Sequence, residues 1–228
     1  MTVEEEFPPG ELPPASLSQL VAAVDDHHRA SMASFRDDFH ERLARRRFLA
    51  WTGLAGGVMI AGSALPLPRL ARIAAAEDDN ATMVAVSAAA LEYAAVEVYS
   101  AAAACGKLTP GVREAAVAFG SHHLEHGNAF AAIAKKSRND IGASKDVLDS
   151  AVKRLAAAAK EADVVAIAIG LENAAVSVYV NALGSVTDVS VIGSMASILP
   201  IESAHAVVLG QVLMLPSDDP RFLPAFEK

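Results

Sequence analysis

The chain has 228 residues, a formal net charge of −8, 53% hydrophobic residues and only 5% aromatic ones. Alanine-heavy apolar content with few aromatics favours close-packed helices over a β-sandwich, and the acidic balance argues against a nucleic-acid binder, which needs a basic face. A single cysteine excludes an intramolecular disulfide and leaves the compartment open.

Residues 1–44 read as a polar, solvated leader, disordered or weakly helical. Pro8, Pro9, Gly10, Pro13 and Pro14 break any early helix, and charges of mixed sign run from Asp25 to Arg42. His27 and His28 are read as part of that surface, with metal binding the alternative. The pattern changes at Arg45, Arg46 and Arg47, which precede an apolar run from Leu49 to Leu67 and a small-residue close at Ala74, Ala75 and Ala76. Basic flank, apolar stretch and Ala-x-Ala site make residues 45–76 an export signal, with cleavage expected after Ala76. A retained anchor is the rival, although Pro66 and Pro68 end the run at barely spanning length. The Arg45-Arg46-x-Phe48-Leu49 core resembles a twin-arginine signal, which exports proteins already folded. The resemblance implies the twin-arginine machinery as a partner and the periplasm, cell envelope or exterior as the destination.

Four helices are expected in residues 77–215. The first runs from about Asp79 to Ala104 and stops at Gly106. The second starts at Thr109 and Pro110, Pro being tolerated in a first turn, and reaches Lys136. The third opens at Ser144 and runs through Glu172 to Leu183. The fourth spans about Val189 to Leu215, with Pro200 expected to kink it just before Glu202. No stretch alternates like a strand, and the short connections imply antiparallel neighbours. The fold class is therefore all-α, an antiparallel four-helix bundle, with residues 216–228 as a tail.

One segment is written twice. LEYAAVEVYSAA at residues 91–102 returns as LENAAVSVYVNA at 171–182, with eight of twelve positions identical. Each copy carries one carboxylate, Glu92 or Glu172, in a nearly apolar helical run, and a tyrosine seven residues later on the same face, Tyr99 or Tyr179. A lone buried carboxylate is costly unless something positive lies beside it. Helix two supplies His123 and His126, and helix four supplies Glu202 and His205, both pairs at i, i+3 spacing on one helical face. Setting His126 against His205 brings His123 against Glu202. Six polar residues from four helices then aim at one core: Glu92, His123, His126, Glu172, Glu202 and His205. One or two divalent metals would neutralise the carboxylates and use the imidazoles as donors. Tyr99 and Tyr179 are read as core aromatics, with a radical or supporting role the alternative, and His122, Glu97 and Glu125 as surface or supporting residues outside the constellation.

This order of Glu, His pair, Glu and Glu-x-x-His across four helices resembles the ferritin-like di-iron carboxylate superfamily over roughly residues 80–215. The Leu91-to-Val96 and Glu202-to-His205 segments are most similar to its exported bacterial members. The resemblance implies a ferritin-like fold, iron with manganese or zinc as alternatives, and use as a ferroxidase or oxidative-stress oxidoreductase. His123 departs from the pattern, standing where the superfamily has the second Glu of a Glu-x-x-His pair. That loss of a bridging carboxylate gives weight to a single metal, to a metal other than iron, or to a vestigial site on a non-enzymatic envelope scaffold. The short tail lacks the fifth helix of storage cages, so a homo-oligomer such as a dimer is expected in place of a cage.

Overall fold

The computed structural model describes residues 16–55, 67–216 and 219. Among the described residues seven helices follow in order: α1 Leu17–Ala55, α2 Leu67–Ala104, α3 Pro110–Ile133, α4 Arg138–Ile141, α5 Lys145–Ala157, α6 Glu161–Leu183 and α7 Val189–Val212. Helix α2 packs along α3 and α6 along α7, and the two pairs close on each other through α2–α6 and α3–α7 contacts. The result is the expected all-α bundle.

Local chemistry explains most of the boundaries. Gly106, at φ 72°, follows α2 in the left-handed conformation that glycine adopts at least cost. Pro110 occupies the first turn of α3, where its missing N–H has no helical partner to lose. Asp188 caps α7 by accepting from the Ser190 and Val191 N–H groups at 2.8 and 3.1 Å. Helix α7 runs through Pro200 without a break.

Two expectations need correction. The third predicted helix is two helices, α5 and α6, separated at Ala158, which is extended at φ −62° and ψ 129°. Alanines 156–159 contain no breaker. The break comes from the Asp163 carboxylate, which accepts from the N–H groups of Ala159 and Lys160 at 2.9 and 3.1 Å and so starts a new helix. The second correction concerns the leader. From Leu17 it is helical, and Val24, His28, Met32 and Phe35 form a buried stripe against α7 and α3. Ser31 Oγ donates to the Ser197 carbonyl at 3.1 Å. The apolar centre of the segment read as an export signal, residues 56–66, lies outside the described residues, as does nearly all of the 216–228 tail.

Small residues set the α2–α3 spacing. Ala85, Ala88, Ala89, Ala94 and Ala95 of α2 are buried, and α3 answers with two glycines seven residues apart. A Cβ on Gly120 would lie 3.2 Å from Tyr99 Cβ, and one on Gly127 would lie 2.6 and 2.8 Å from the buried Tyr93 ring. By length and composition, Asn80–Ala104, α6 and α7 are each apolar enough to cross a membrane; 56, 56 and 50% of their apolar windows are buried within the bundle.

Gly127→Ala tests this seam. Helix propensity alone would stabilise the variant by up to about 1 kcal/mol, whereas overpacking against a ring that cannot retreat costs about 1–3 kcal/mol. The clash is expected to win. The urea midpoint should fall, and a rise would show that α2 and α3 do not approach so closely.

Candidate metal centre

All six residues singled out by spacing are brought together. Glu92 comes from α2, His123 and His126 from α3, Glu172 from α6, and Glu202 and His205 from α7, each no more than 1% exposed. The apolar neighbours that turn these faces inward are Ala116, Phe119 and Phe130 on α3 and Met195, Ile198 and Leu209 on α7.

The repeat is closed reciprocally. Tyr99 of α2 donates its hydroxyl proton to Glu172 of α6, and Tyr179 of α6 donates to Glu92 of α2. Each copy's tyrosine thus fixes one oxygen of the other copy's carboxylate. The remaining oxygens face imidazoles. Glu92 Oε2 lies 2.6 Å from His123 Nδ1 and 3.7 Å from His126 Nδ1. Glu172 Oε2 lies 3.4 Å from His205 Nδ1, while its Oε1 lies 3.3 Å from His123 Nε2. Glu202 spans both halves, with Oε1 2.7 Å from His126 Nδ1 and Oε2 3.4 Å from His205 Nδ1.

Two donor groups result: Glu92, His123, His126 and Glu202, and His123, Glu172, Glu202 and His205. Within each, one ligand atom per residue lies within 4.8 Å of the others. His123 and Glu202 belong to both, so the two groups are adjacent candidate cation positions with two shared residues. The approach of His126 to Glu202 is close, yet both His126 nitrogens and both Glu202 oxygens make no hydrogen bond of acceptable geometry. Buried polar atoms so placed are normally satisfied. Polar atoms that converge so closely fit either a proton or a cation between them.

Without metal, protons carry the compensation. Burial pulls His126 down, but the carboxylates of Glu202 and Glu92 outweigh it and hold the imidazole at about 9. His123 is subject to the same opposition, burial against Glu202, Glu172 and Glu92, and is held well above the usual imidazole range. His205 is raised against burial by Glu172 and Glu202. For Glu172, burial raises and His123 and His205 lower, leaving the carboxyl well below its ordinary range; Glu92 is lowered by His123 and His126 against the same burial. Burial and the Glu172 charge push Tyr99 well above 10, so it remains a hydroxyl donor.

Of the two readings given for His122, surface or supporting, its contacts match the second, and His28 is buried, not part of the surface. His122 is not a surface residue: it is 3% exposed, with Nδ1 2.9 Å from His205 Nε2 and Nε2 3.1 Å from Asp25 Oδ1 of α1. His28 stacks on it with ring centroids 3.9 Å apart. Burial, and then neighbouring imidazoles, lower His122 to about 4 and His28 to about 3, so both are neutral donors. The available signal was a second buried face on α3 through Ala115, Phe119, His122 and Ala129. Tyr99 and Tyr179 are more than core aromatics, as their hydroxyls show. Glu97 and Glu125 are exposed, as expected, and face Arg138 and Arg36.

A family model for a ferritin-like domain matches residues 80–215. That span holds all six residues and more than half the chain, and the chain belongs to the ferritin-like domain family. No curated protein and no solved structure gives a significant match. The buried Glu/His clusters are consistent with the dinuclear carboxylate metal site of such a domain.

The protonation pattern sets a pH dependence for the metal-free chain. His126, raised from 6.5 to about 9, contributes stability that is present below 6.5 and lost as pH rises through about 9. Glu92 and Glu172, lowered from 4.5, contribute stability that is present above 4.5 and lost as pH falls through their depressed values. Chelator-treated protein is therefore expected to unfold at lower urea at pH 9.5 than at pH 6.5. Equal midpoints would show that these imidazoles are not charged in the metal-free core.

Proposed function

We propose that this protein binds one or two redox-active metal ions, iron foremost, among Glu92, His123, His126, Glu172, Glu202 and His205, and serves as a ferroxidase or oxidative-stress oxidoreductase. One observation carries the reading: the unpartnered nitrogens of His126 and oxygens of Glu202 meet where two donor groups share residues. Bound iron or manganese supplies one-electron chemistry with dioxygen or peroxide. The chain supplies the rest. Tyr99 and Tyr179 fix Glu172 and Glu92, leaving one oxygen of each to face the centre. Glu202 is free to span both positions. His122, backed by Asp25, holds the far nitrogen of His205 and fixes its ring orientation. Burial of every donor excludes bulk water from the centre.

His123 favours a second reading. Its two nitrogens face Glu92 and Glu172, so three raised imidazoles oppose three carboxylates and the core is balanced by protons alone. On that reading the bundle is a non-enzymatic scaffold with a vestigial site.

Metal content separates the two. Full-length protein purified without chelator should carry one to two equivalents of iron or manganese at the centre, and His126→Ala/His205→Ala should carry at least one equivalent less by plasma mass spectrometry. Aerobic iron(II) oxidation should fall at least tenfold in the double variant. Wild-type protein that takes up no added metal would reject the first reading and leave the scaffold.

Export is part of the same proposal, supported by Arg45, Arg46, Phe48 and Leu49 and the apolar run that follows. Basic flanks of membrane-inserting segments stay on the cytoplasmic side. Residues before Arg45 would then stay inside while the bundle crosses, so docked α1 is the arrangement before export. Cell fractionation with amino-terminal sequencing is expected to find the bundle outside the cytoplasmic membrane, starting at Glu77. A full-length chain confined to the cytoplasm would sink the export proposal.

A further inference from the structure

A second cluster of donors lies outside the central six, where α1 crosses α3. Asp25, His28 and His122 each offer a ligand atom within 4.8 Å of the others, and both histidines are buried, at 1 and 3% exposure. His28 Nε2 has no hydrogen-bond partner. The three residues line a cleft of about 500 Å³ between α1 and α3, whose rim includes the polar groups of Ser18, Glu114 and Glu125. From these observations we infer that Asp25, His28 and His122 form a separate binding site for a single divalent transition-metal ion.

The donor chemistry fits. Two imidazoles and one carboxylate suit zinc or iron(II), with the cleft leaving a further position for water. Two ligands at about 2.1 Å from a tetrahedral ion stand about 3.4 Å apart, and Asp25 Oδ1 and His122 Nε2 are already 3.1 Å apart. Arg29 pairs with the other oxygen of Asp25, Oδ2, which leaves Oδ1 for the ion. The face-to-face stack of His28 on His122, with rings 20° from parallel, keeps both rings at the cleft wall. A lone unpaired imidazole nitrogen, buried where a carboxylate and a second imidazole converge, has no better explanation in packing alone.

The site also touches the central one. An ion on His122 Nε2 leaves that ring's proton on Nδ1, donated to His205 Nε2 at 2.9 Å. A neutral His205 would then carry its own proton on Nδ1, the nitrogen facing Glu172 and Glu202. Occupancy of the outer site and use of His205 Nδ1 as a central ligand thus draw opposite tautomers, so the two sites are coupled through one hydrogen bond.

Zinc alone is the probe, with the full-length chain. Equilibrium dialysis and plasma mass spectrometry would count bound zinc in wild type, His28→Phe, Asp25→Asn and Glu92→Gln/Glu172→Gln. His28→Phe keeps a ring to stack on His122 but removes the donor, and it should bind one equivalent fewer. Asp25→Asn should bind that equivalent at least tenfold more weakly. The Glu92→Gln/Glu172→Gln variant should retain it, whatever happens at the centre; if this variant binds as much as wild type while His28→Phe loses one equivalent, the central reading fails and the outer site stands. Equal zinc in wild type, His28→Phe and Asp25→Asn would overturn the inference. Should either variant fail to fold by circular dichroism, zinc-edge anomalous diffraction from wild-type crystals decides. A peak between Asp25, His28 and His122 supports the site, and its absence after soaking overturns it.

Discussion

Three carboxylates and three imidazoles without solvent contact are the constraint on which the rest of this bundle depends. Any one of them, bare in an apolar interior, would cost several kcal/mol. Together they have two ways to reach balance, by protons on the imidazoles or by cations among the donors. The same atoms serve both, because a nitrogen that holds a proton cannot hold a metal. Stability and metal affinity are therefore two expressions of one equilibrium in this core. The surrounding architecture holds the six in place for either outcome. Alanines and two α3 glycines bring α2 and α3 close, and the crossed tyrosines fix Glu92 and Glu172 from opposite sides.

How much of this was legible in the sequence depends on how each residue is buried. A charged residue inside an apolar helical stripe stands out, which is why Glu92, Glu172, Glu202 and the inner histidines could be assigned to one face from spacing alone. The duplication of residues 91–102 at 171–182 doubled that signal and located the two copies on facing helices. Spacing failed where a helix is buried on two faces. On α3 the adjacent residues His122 and His123 both point inward, one to α1 and one to the centre. A single-stripe reading can accept only one of a neighbouring pair. It failed again on α1, where Val24, His28, Met32 and Phe35 make a sparse stripe diluted by Asp25, Asp26, His27 and Arg29. The break between α5 and α6 was illegible for another reason: it is made by the Asp163 side chain bonding backbone upstream of it, in a run of alanines that favour helix.

The repeat makes α2 and α6 nearly equivalent about the centre, but the other two inner helices are not equivalent. His205 of α7 is held from behind by His122 and, through it, Asp25. His126 of α3 has no such partner and lies tilted at 55° to the His28 ring with centroids 5.1 Å apart. Both differences originate in α1, which supplies Asp25 and His28. The leader thus adds to the asymmetry that His123 on α3 and Glu202 on α7 already give the site. A metal held by His205 would have an oriented, hydrogen-bonded ligand, whereas one held by His126 would have a freer ring.

That dependence creates a tension with the twin-arginine-like motif, which lies in the last third of α1. The side chains that complete the His205 chain precede Arg45, on the flank that a membrane-inserting segment leaves behind. A bundle that crossed a membrane without α1 would expose the α3 face carrying His122 and lose the carboxylate behind it. His205 would then be free to turn, and the two halves of the centre would become more alike. On the export proposal, metal loading with α1 docked and metal retention without it would call on different sets of supporting residues. The support behind His205 is a property of the whole chain, because the four-helix domain alone does not contain Asp25 or His28.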